Sequence, residues 1–274
     1  AITFIDGGSA EIFNNINMSF GIIRTAFATF QKNIRSDSKT FDFYFLIKTI
    51  NKEDKVLFNA EVFNFNNKDN ILSETIFEFE IKETSEHHNT EITKISDNLR
   101  RLLEIKTAEF IQQNQKVDFI VLDGNLQIDS KKEKEYLGKI HSIQALSKSS
   151  HVISKQGLLY SNILNNNKLN YTWYYELIDN IYFTKLNKNS KHIFKVETKN
   201  TNTNPLFSIL KNNSKDPVFL GYPYGLIEVD RLARISNNEL NYLKNLFTAK
   251  LGKIDLTQIL SNSNAHEILD NISF

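Results

Sequence analysis

The sequence predicts an α/β fold, a mixed β-sheet flanked by helices and elaborated by additional strands and C-terminal helices, and three observations predict it. Four β-patterned segments open the chain, at Ile2 to Ile5, Ser19 to Phe30, Phe41 to Ile50 and Lys55 to Phe65. The period then changes: Ile92, Ile95, Leu99, Leu102, Leu103 and Phe110 recur at helical spacing, giving one amphipathic helix from about Thr90 to Gln113. Twenty-one Phe and ten Tyr against one Met, one Trp and three Pro suit bulky, half-buried sheets and argue against a helical bundle.

Ile2 to Ile5 is an apolar run that stops at Asp6-Gly7-Gly8-Ser9, so a buried strand running into a glycine turn is expected. Turn-rich KNIRSDSKT and NKED separate the next three strands, as in an antiparallel meander. A weaker stretch around Ile71 to Ile81 precedes the long helix. After the helix comes VDFIVL, Val117 to Leu122, ending at Asp123-Gly124, the second succession of strand, Asp and Gly. KKEKE reads as a basic connection to a strand at Ile140 to Leu146, which ends in Ser147-Lys148-Ser149-Ser150. A helix near Ile153 to Leu164, strands near Tyr171 to Ile178, Ile181 to Leu186 and Ile193 to Thr198, and a short helix around Leu206 to Leu210 follow. GYPYGL opens the last region, helical from about Ile227 to Lys250 with a break near Ser236. Neither an internal repeat nor a linker interrupts the pattern, so residues 1–274 are expected to form a single domain.

Composition narrows the function. Zero Cys excludes disulfides, thiolate zinc sites and cysteine nucleophiles, so any metal would be held by oxygen or imidazole. A net charge of +1 sets up no global field for a nucleic acid, which leaves local patches to do so. No apolar run approaches the roughly 18 residues of a membrane span, and Ala1 to Ser9 lacks a signal-peptide pattern; a soluble, intracellular protein is expected.

The two Asp-Gly pairs are where chemistry could reside. Strands side by side bring their ends together, and two carboxylates that close repel unless a cation lies between them. Hard oxygen ligands favour Mg²⁺ or Mn²⁺, and two such ions can activate water and stabilise the leaving oxygen of a phosphodiester. An Asp-Gly pair after a strand also serves as an ordinary turn, and spacing alone leaves both readings open. Antiparallel strands, a long helix and a strand with a second Asp is the order of a ribonuclease H-like core.

Six segments, FIDGGS at Asp6, RRLLE on the long helix, FIVLDGNLQ at Asp123, ALSKSS at Lys148, GYPYGLIEVDRLARIS and AHEILD, together resemble the NurA nuclease family and span nearly the whole chain in that family's order. The resemblance implies a metal-dependent DNA nuclease, a 5′-to-3′ exonuclease and single-strand endonuclease acting in DNA end processing, cytoplasmic in a prokaryotic cell. It implies a homodimer fed with single-stranded DNA or fraying ends by a HerA-type hexameric ATPase, in resection or in antiviral defence. Carried over residue by residue, it makes Asp6, Glu104, Asp123 and Asp230 ligands for two Mn²⁺ or Mg²⁺ ions, with Tyr222 and Lys148 in the catalytic group.

Several positions carry a second reading. Glu104 points well off the apolar stripe through Leu99, Leu103 and Phe110 while Glu109 sits near its edge, so Glu109 is the alternative helix ligand. Asp230 stands where some family members have histidine, and would otherwise pair with Arg231 or Arg234. Tyr222 would bind phosphate or water, or simply pack beside Pro223. Lys148 would contact the phosphate, or be a solvated loop residue. Lys131, Lys132 and Lys134 form a basic patch diluted by Glu133 and Glu135. His87-His88 are not at i, i+4 spacing and receive no role. Ala1 stands five residues before Asp6, where the family usually carries a helical segment that contributes to partner contacts; the absent initiator Met points to processing or trimming. A non-catalytic DNA-binding or scaffold subunit of an ATPase complex is the alternative function.

Overall fold

A computed structural model describes residues 1–15, 17–52, 55–64, 71–72, 74–80, 88–128, 130–148, 152–154, 156–165, 170–199 and 203–251. AHEILD, His87, Ser149 and Ser150 lie outside the described residues. The strands are β1 (Ile2–Asn14), β2 (Met18–Gln31), β3 (Ile34–Lys52), β4 (Lys55–Phe63), β5 (Ile76–Glu80), β6 (Phe119–Asp123), β7 (Ile143–Ser147), β8 (Trp173–Ile178), β9 (Ile181–Lys185) and β10 (Phe194–Thr198). The helices are α1 (His88–Asn114), α2 (Lys131–Gly138), α3 (Tyr160–Asn165), α4 (Asn204–Asn213), α5 (Tyr224–Ala233) and α6 (Asn237–Lys250). No helix among the described residues is long and apolar enough to cross a membrane.

The ten strands share one sheet in the order β5-β4-β3-β2-β1-β6-β7-β10-β9-β8. Pairing is parallel for β1–β6 and β6–β7 and antiparallel for β3–β4, β4–β5, β7–β10, β10–β9 and β9–β8. This is the mixed sheet of a ribonuclease H-like core, lengthened at one edge by β4 and β5 and at the other by β8–β10.

Four local expectations are corrected. β1 does not end at Asp6: it continues through Gly7-Gly8 to Asn14, because β2 lies alongside it in the sheet. KNIRSDSKT is not a long loop. Lys32 (φ 50°) and Asn33 (φ 65°) alone make a two-residue turn whose twist matches a hairpin, and β3 starts at Ile34. Its first seven residues are exposed, so no apolar alternation announced them. KKEKE is helix rather than connection: Ser130 accepts from the Glu133 amide while the Glu133 carboxylate accepts from the Ser130 amide, a capping box written as S-x-x-E. The helix expected from Ile153 is shorter, beginning at Tyr160 after a turn with Gly157 at φ 80°. The break near Ser236 is real, since Ser236 caps α6.

The chain divides into two compact units. One comprises Ala1–Asp6, Ala26–Thr40 and Glu104–Ala233; the other comprises Gly7–Thr25, Phe41–Leu103 and Arg234–Phe274. In the first unit, side chains alternate across the sheet. Ile2 and Phe4 of β1, Phe119 and Val121 of β6, Leu146 of β7 and Phe194 and Val196 of β10 bury one face against Leu206, Phe207 and Leu210 of α4 and Leu226 and Val229 of α5. Each fully buried side chain of this size contributes about 1.5–3 kcal/mol. Thr3, on the opposite face, bonds Thr29 at 2.9 Å, and Thr29 donates at 3.0 Å to Gln115, just past the end of α1, so the C-terminal end of α1 lies at that opposite face. In the second unit, Ile12, Ile22 and Leu243 pack with Phe20 and Phe247, and Arg24 bridges Asp42 and Glu239.

Candidate active site

Parity places the site. Asp6 continues the Ile2, Phe4 series, Asp123 the Phe119, Val121 series and Lys148 the Leu146 position, so all three aim at the α5 face. The last register pair of β1 and β6 is Ile5 with Leu122, so Asp6 and Asp123 follow it side by side on adjacent parallel strands, roughly 4.8 Å apart in backbone. Asp123 in turn pairs with Leu146.

Asp123 is held from two sides. The Tyr222 hydroxyl donates to its Oδ1 at 2.9 Å, and the Lys148 ammonium pairs with its Oδ2 at 2.8 Å while lying 5.1 Å from the Tyr222 ring centre. The turn that follows is fixed to the neighbouring strand. Gly124, at φ 116°, donates to the Leu146 carbonyl at 3.0 Å, the Ser147 hydroxyl donates to the Gly124 carbonyl, and the Leu126 amide donates to Glu197 at 2.9 Å. Nothing lies within 4 Å of where a Gly124 Cβ would stand, so this glycine serves its backbone conformation and leaves open space beside Asp123.

Three carboxylates act on the same two side chains. Burial pushes the Tyr222 phenol far above its usual range, reinforced by Asp123, Asp6 and Asp230; it stays protonated as a donor. Burial opposes the Lys148 charge, but the hydrogen bond to Asp123 and the fields of Asp123, Asp230 and Asp6 outweigh it and raise the ammonium above its ordinary value. The structure thus brings Asp6, Asp123, Asp230, Lys148 and Tyr222 together within the first unit. Tyr222 neither faces solvent nor only packs: its ring meets Phe194 at 5.3 Å and its hydroxyl positions Asp123. Lys148 is a half-exposed ion-pair partner of Asp123.

Glu104 is 2% exposed on α1, the helix of the opposite face: Leu102 to Ala108 are all buried there, so a position off the apolar stripe is covered as well. Glu109 pairs at 2.9 Å with Lys106, which lies 3.7 Å over the Tyr136 ring, a structural ion pair. Arg231, one of the two partners that the alternative reading gave Asp230, bonds the buried Glu228 at 3.0 Å. Glu228 also takes Arg35, a residue expected in a loop. Burial would raise the Glu228 carboxyl, but Arg231 and Arg35 hold it below its usual value. The E-x-x-R spacing of Glu228 and Arg231 was the sequence signal for this cluster.

The chain is similar to the NurA nuclease from Sulfolobus solfataricus, with a TM-score of 0.55 and 15% sequence identity over 92% of this chain and 84% of that one. The fold is NurA-like. Endonuclease V of Ciona intestinalis, in complex with a DNA containing an inosine followed by a ribo-adenosine, is similar at a TM-score of 0.45 and 11% identity over 89% of this chain and 86% of that one. Human endonuclease V follows at a TM-score of 0.43 and 6% identity over 88% and 84%. No family model and no curated protein matches the sequence. Within the NurA-like fold, Asp6 and Asp123 occupy adjacent parallel strands in register, Tyr222 lies two residues before α5 and Asp230 within it.

The hydrogen bond from Tyr222 gives a direct prediction. Tyr222→Phe keeps the ring against Phe194 but removes a bond to a charged acceptor, and should lower unfolding free energy by about 1.5–3 kcal/mol in urea titration. An unchanged midpoint and slope would show that the hydroxyl contributes nothing to holding Asp123.

Proposed function

We propose that the protein is a metal-dependent DNA nuclease that cleaves phosphodiesters with two Mn²⁺ or Mg²⁺ ions. The observation that carries this reading is the side-by-side placement of Asp6 and Asp123, with Asp230 acting on the same two side chains, in a NurA-like fold. The donor set fits a hard divalent ion by its chemistry: carboxylate oxygens, and no cysteine anywhere in the chain. Asp6, Asp123 and Asp230 would hold it; Glu104, the ligand that the family resemblance adds, stands on α1 across the sheet. Such ions, when bound, lower the pKa of water and stabilise the leaving oxygen. The chain's own part is to hold Asp123 through Tyr222 and to supply the Lys148 ammonium, released from Asp123, to the phosphate oxygens as their charge builds. A homodimer acting on single-stranded or fraying DNA ends with a HerA-type ATPase, in end resection or antiviral defence, is the setting we propose.

One observation favours the second reading, a non-catalytic DNA-binding or scaffold subunit. Among the described residues, no group of three or more His, Cys, Asp or Glu is arranged to hold a metal ion, and both Asp123 oxygens are engaged by Tyr222 and Lys148. Incubating the protein with labelled single-stranded DNA, duplex DNA and RNA in Mn²⁺, in Mg²⁺ and in chelator separates the two. Cleavage of DNA in either metal and none in chelator is expected; intact DNA under every condition supports the scaffold instead.

A further inference from the structure

The outer edge of the sheet in the first unit holds a second feature of the same face. Two adjoining clefts of about 190 and 410 Å³ share Thr172, Leu186 and Lys211. Lys185, Lys188, Lys211 and Lys215 line them, and among the described residues no carboxylate does, although the chain as a whole is nearly neutral. Interleaved with these lysines are Tyr171, Trp173 and Tyr174. Tyr171 is 58% exposed, and Tyr174, 41% exposed, is backed by Phe207 in a parallel stack 4.1 Å between centres. A rigid aromatic plane open on one side, flanked by ammonium groups, is the surface on which unpaired bases stack while phosphates are neutralised.

Register ties this surface to the carboxylates. Ser147 pairs with Lys195, Lys195 with Phe183 and Phe183 with Tyr175, so the β7 end that carries Lys148 is level with the Trp173–Tyr174 end of β8. Three strand spacings, roughly 14 Å, separate β7 from β8. Tyr174, Leu186 and Phe207 of the cleft lie on the Leu146 face, whereas Trp173 and Lys185, paired across β8 and β9, alternate to the other face at the sheet edge. Gly221 closes the gap: a Cβ there would stand 2.9 Å from Asn187 of the cleft wall, and the next residue is Tyr222.

We propose that this cleft binds single-stranded nucleic acid, base planes on Tyr171 and Tyr174 and phosphates on Lys188, Lys211 and Lys215, in line with the Asp6–Asp123 cluster. The proposal deepens the nuclease reading and rests on it only for the direction of the strand. A solvated lysine at the end of α4 would account for Lys211 alone; Lys188, Lys211 and Lys215 around exposed aromatics, with no carboxylate among the described lining residues, form a local basic patch on a nearly neutral chain.

Trp173 is the only tryptophan, which makes the cleft its own reporter. Full-length protein in chelator, where no cleavage intervenes, is titrated with fluorescein-labelled oligo-dT of about 20 nucleotides, following probe anisotropy and, with unlabelled oligo-dT, Trp173 emission. Both signals should change with one midpoint. Lys211→Gln/Lys215→Gln, at exposed positions, should weaken binding at least about tenfold and flatten the salt slope by about 1.4. Tyr171→Ala should weaken it about fivefold or more with the slope unchanged. Anisotropy that saturates without a Trp173 change, wild-type affinity in the lysine variant, no binding at all, or duplex of the same length bound equally well would each overturn the proposal. Because cleavage plays no part in these signals, a protein that binds here but cuts nothing in Mn²⁺ sinks the nuclease reading alone.

Discussion

Asp123→Asn and Asp6→Asn are each expected to lower DNA cleavage in Mn²⁺ by about a thousandfold or more, the several kcal/mol that metal-borne charge stabilisation supplies to a transition state. Folding should survive both. In Asp123→Asn the amide oxygen still accepts from Tyr222, and the loss of the Lys148 pair is modest because the ammonium is half exposed. Circular dichroism and oligo-dT binding in chelator would therefore stay near wild type while cleavage is lost. Activity within a few-fold of wild type in either variant removes the carboxylate pair from the mechanism. Glu104→Gln should join the inactive set, whereas Glu109→Gln should only loosen the Lys106 pair; the reverse pattern would transfer the helix ligand to Glu109.

Gly225→Ala is the second large effect, and it acts on packing. A Cβ at Gly225 would stand 2.0 Å from Phe4 Cδ2 and 2.3 Å from Cε2, with Phe4 fully buried in β1. Neither group has room to yield, so α5 must move off the sheet, and overpacking of this kind costs about 3 kcal/mol or more. The shift would be felt at the chemistry as well, because Phe4 is two residues before Asp6 and Gly225 lies between Tyr222 and Asp230. A lowered melting temperature together with weakened cleavage is expected. A stable, fully active Gly225→Ala protein would mean that α5 does not sit as tightly on β1 as described.

Much of this was legible in the chain. Local patterns carry their own period, so α1 and the apolar strands β6 and β9 lie close to where they were expected, and Ser236 marked the start of α6. Asp6 and Asp123 were found because each ends an apolar run in the sequence, although only β6 actually stops there. What stayed hidden was non-local or exposed. The first seven residues of β3 are all solvent-facing, and only the turn at Lys32-Asn33 betrays them. The burial of Glu104 depends on which neighbours close over α1, which no helical period reports. The lysines of the cleft come from β9, the segment after it, α4 and the stretch beyond α4, and nothing in their separate sequences says that they converge.

The common parity of Asp6, Asp123 and Lys148 has an evolutionary corollary. One residue inserted before Asp6 in β1, or before Asp123 in β6, would turn every later side chain of that strand to the far face, so the whole constellation is lost by a single slip of frame within the strand. The connections between strands bear no such restriction, as loop closure changes little with length. Descendants of this fold are thus free to lengthen their surface and to replace most of their residues, but the number of residues between the start of each central strand and its aspartate is the quantity they must inherit.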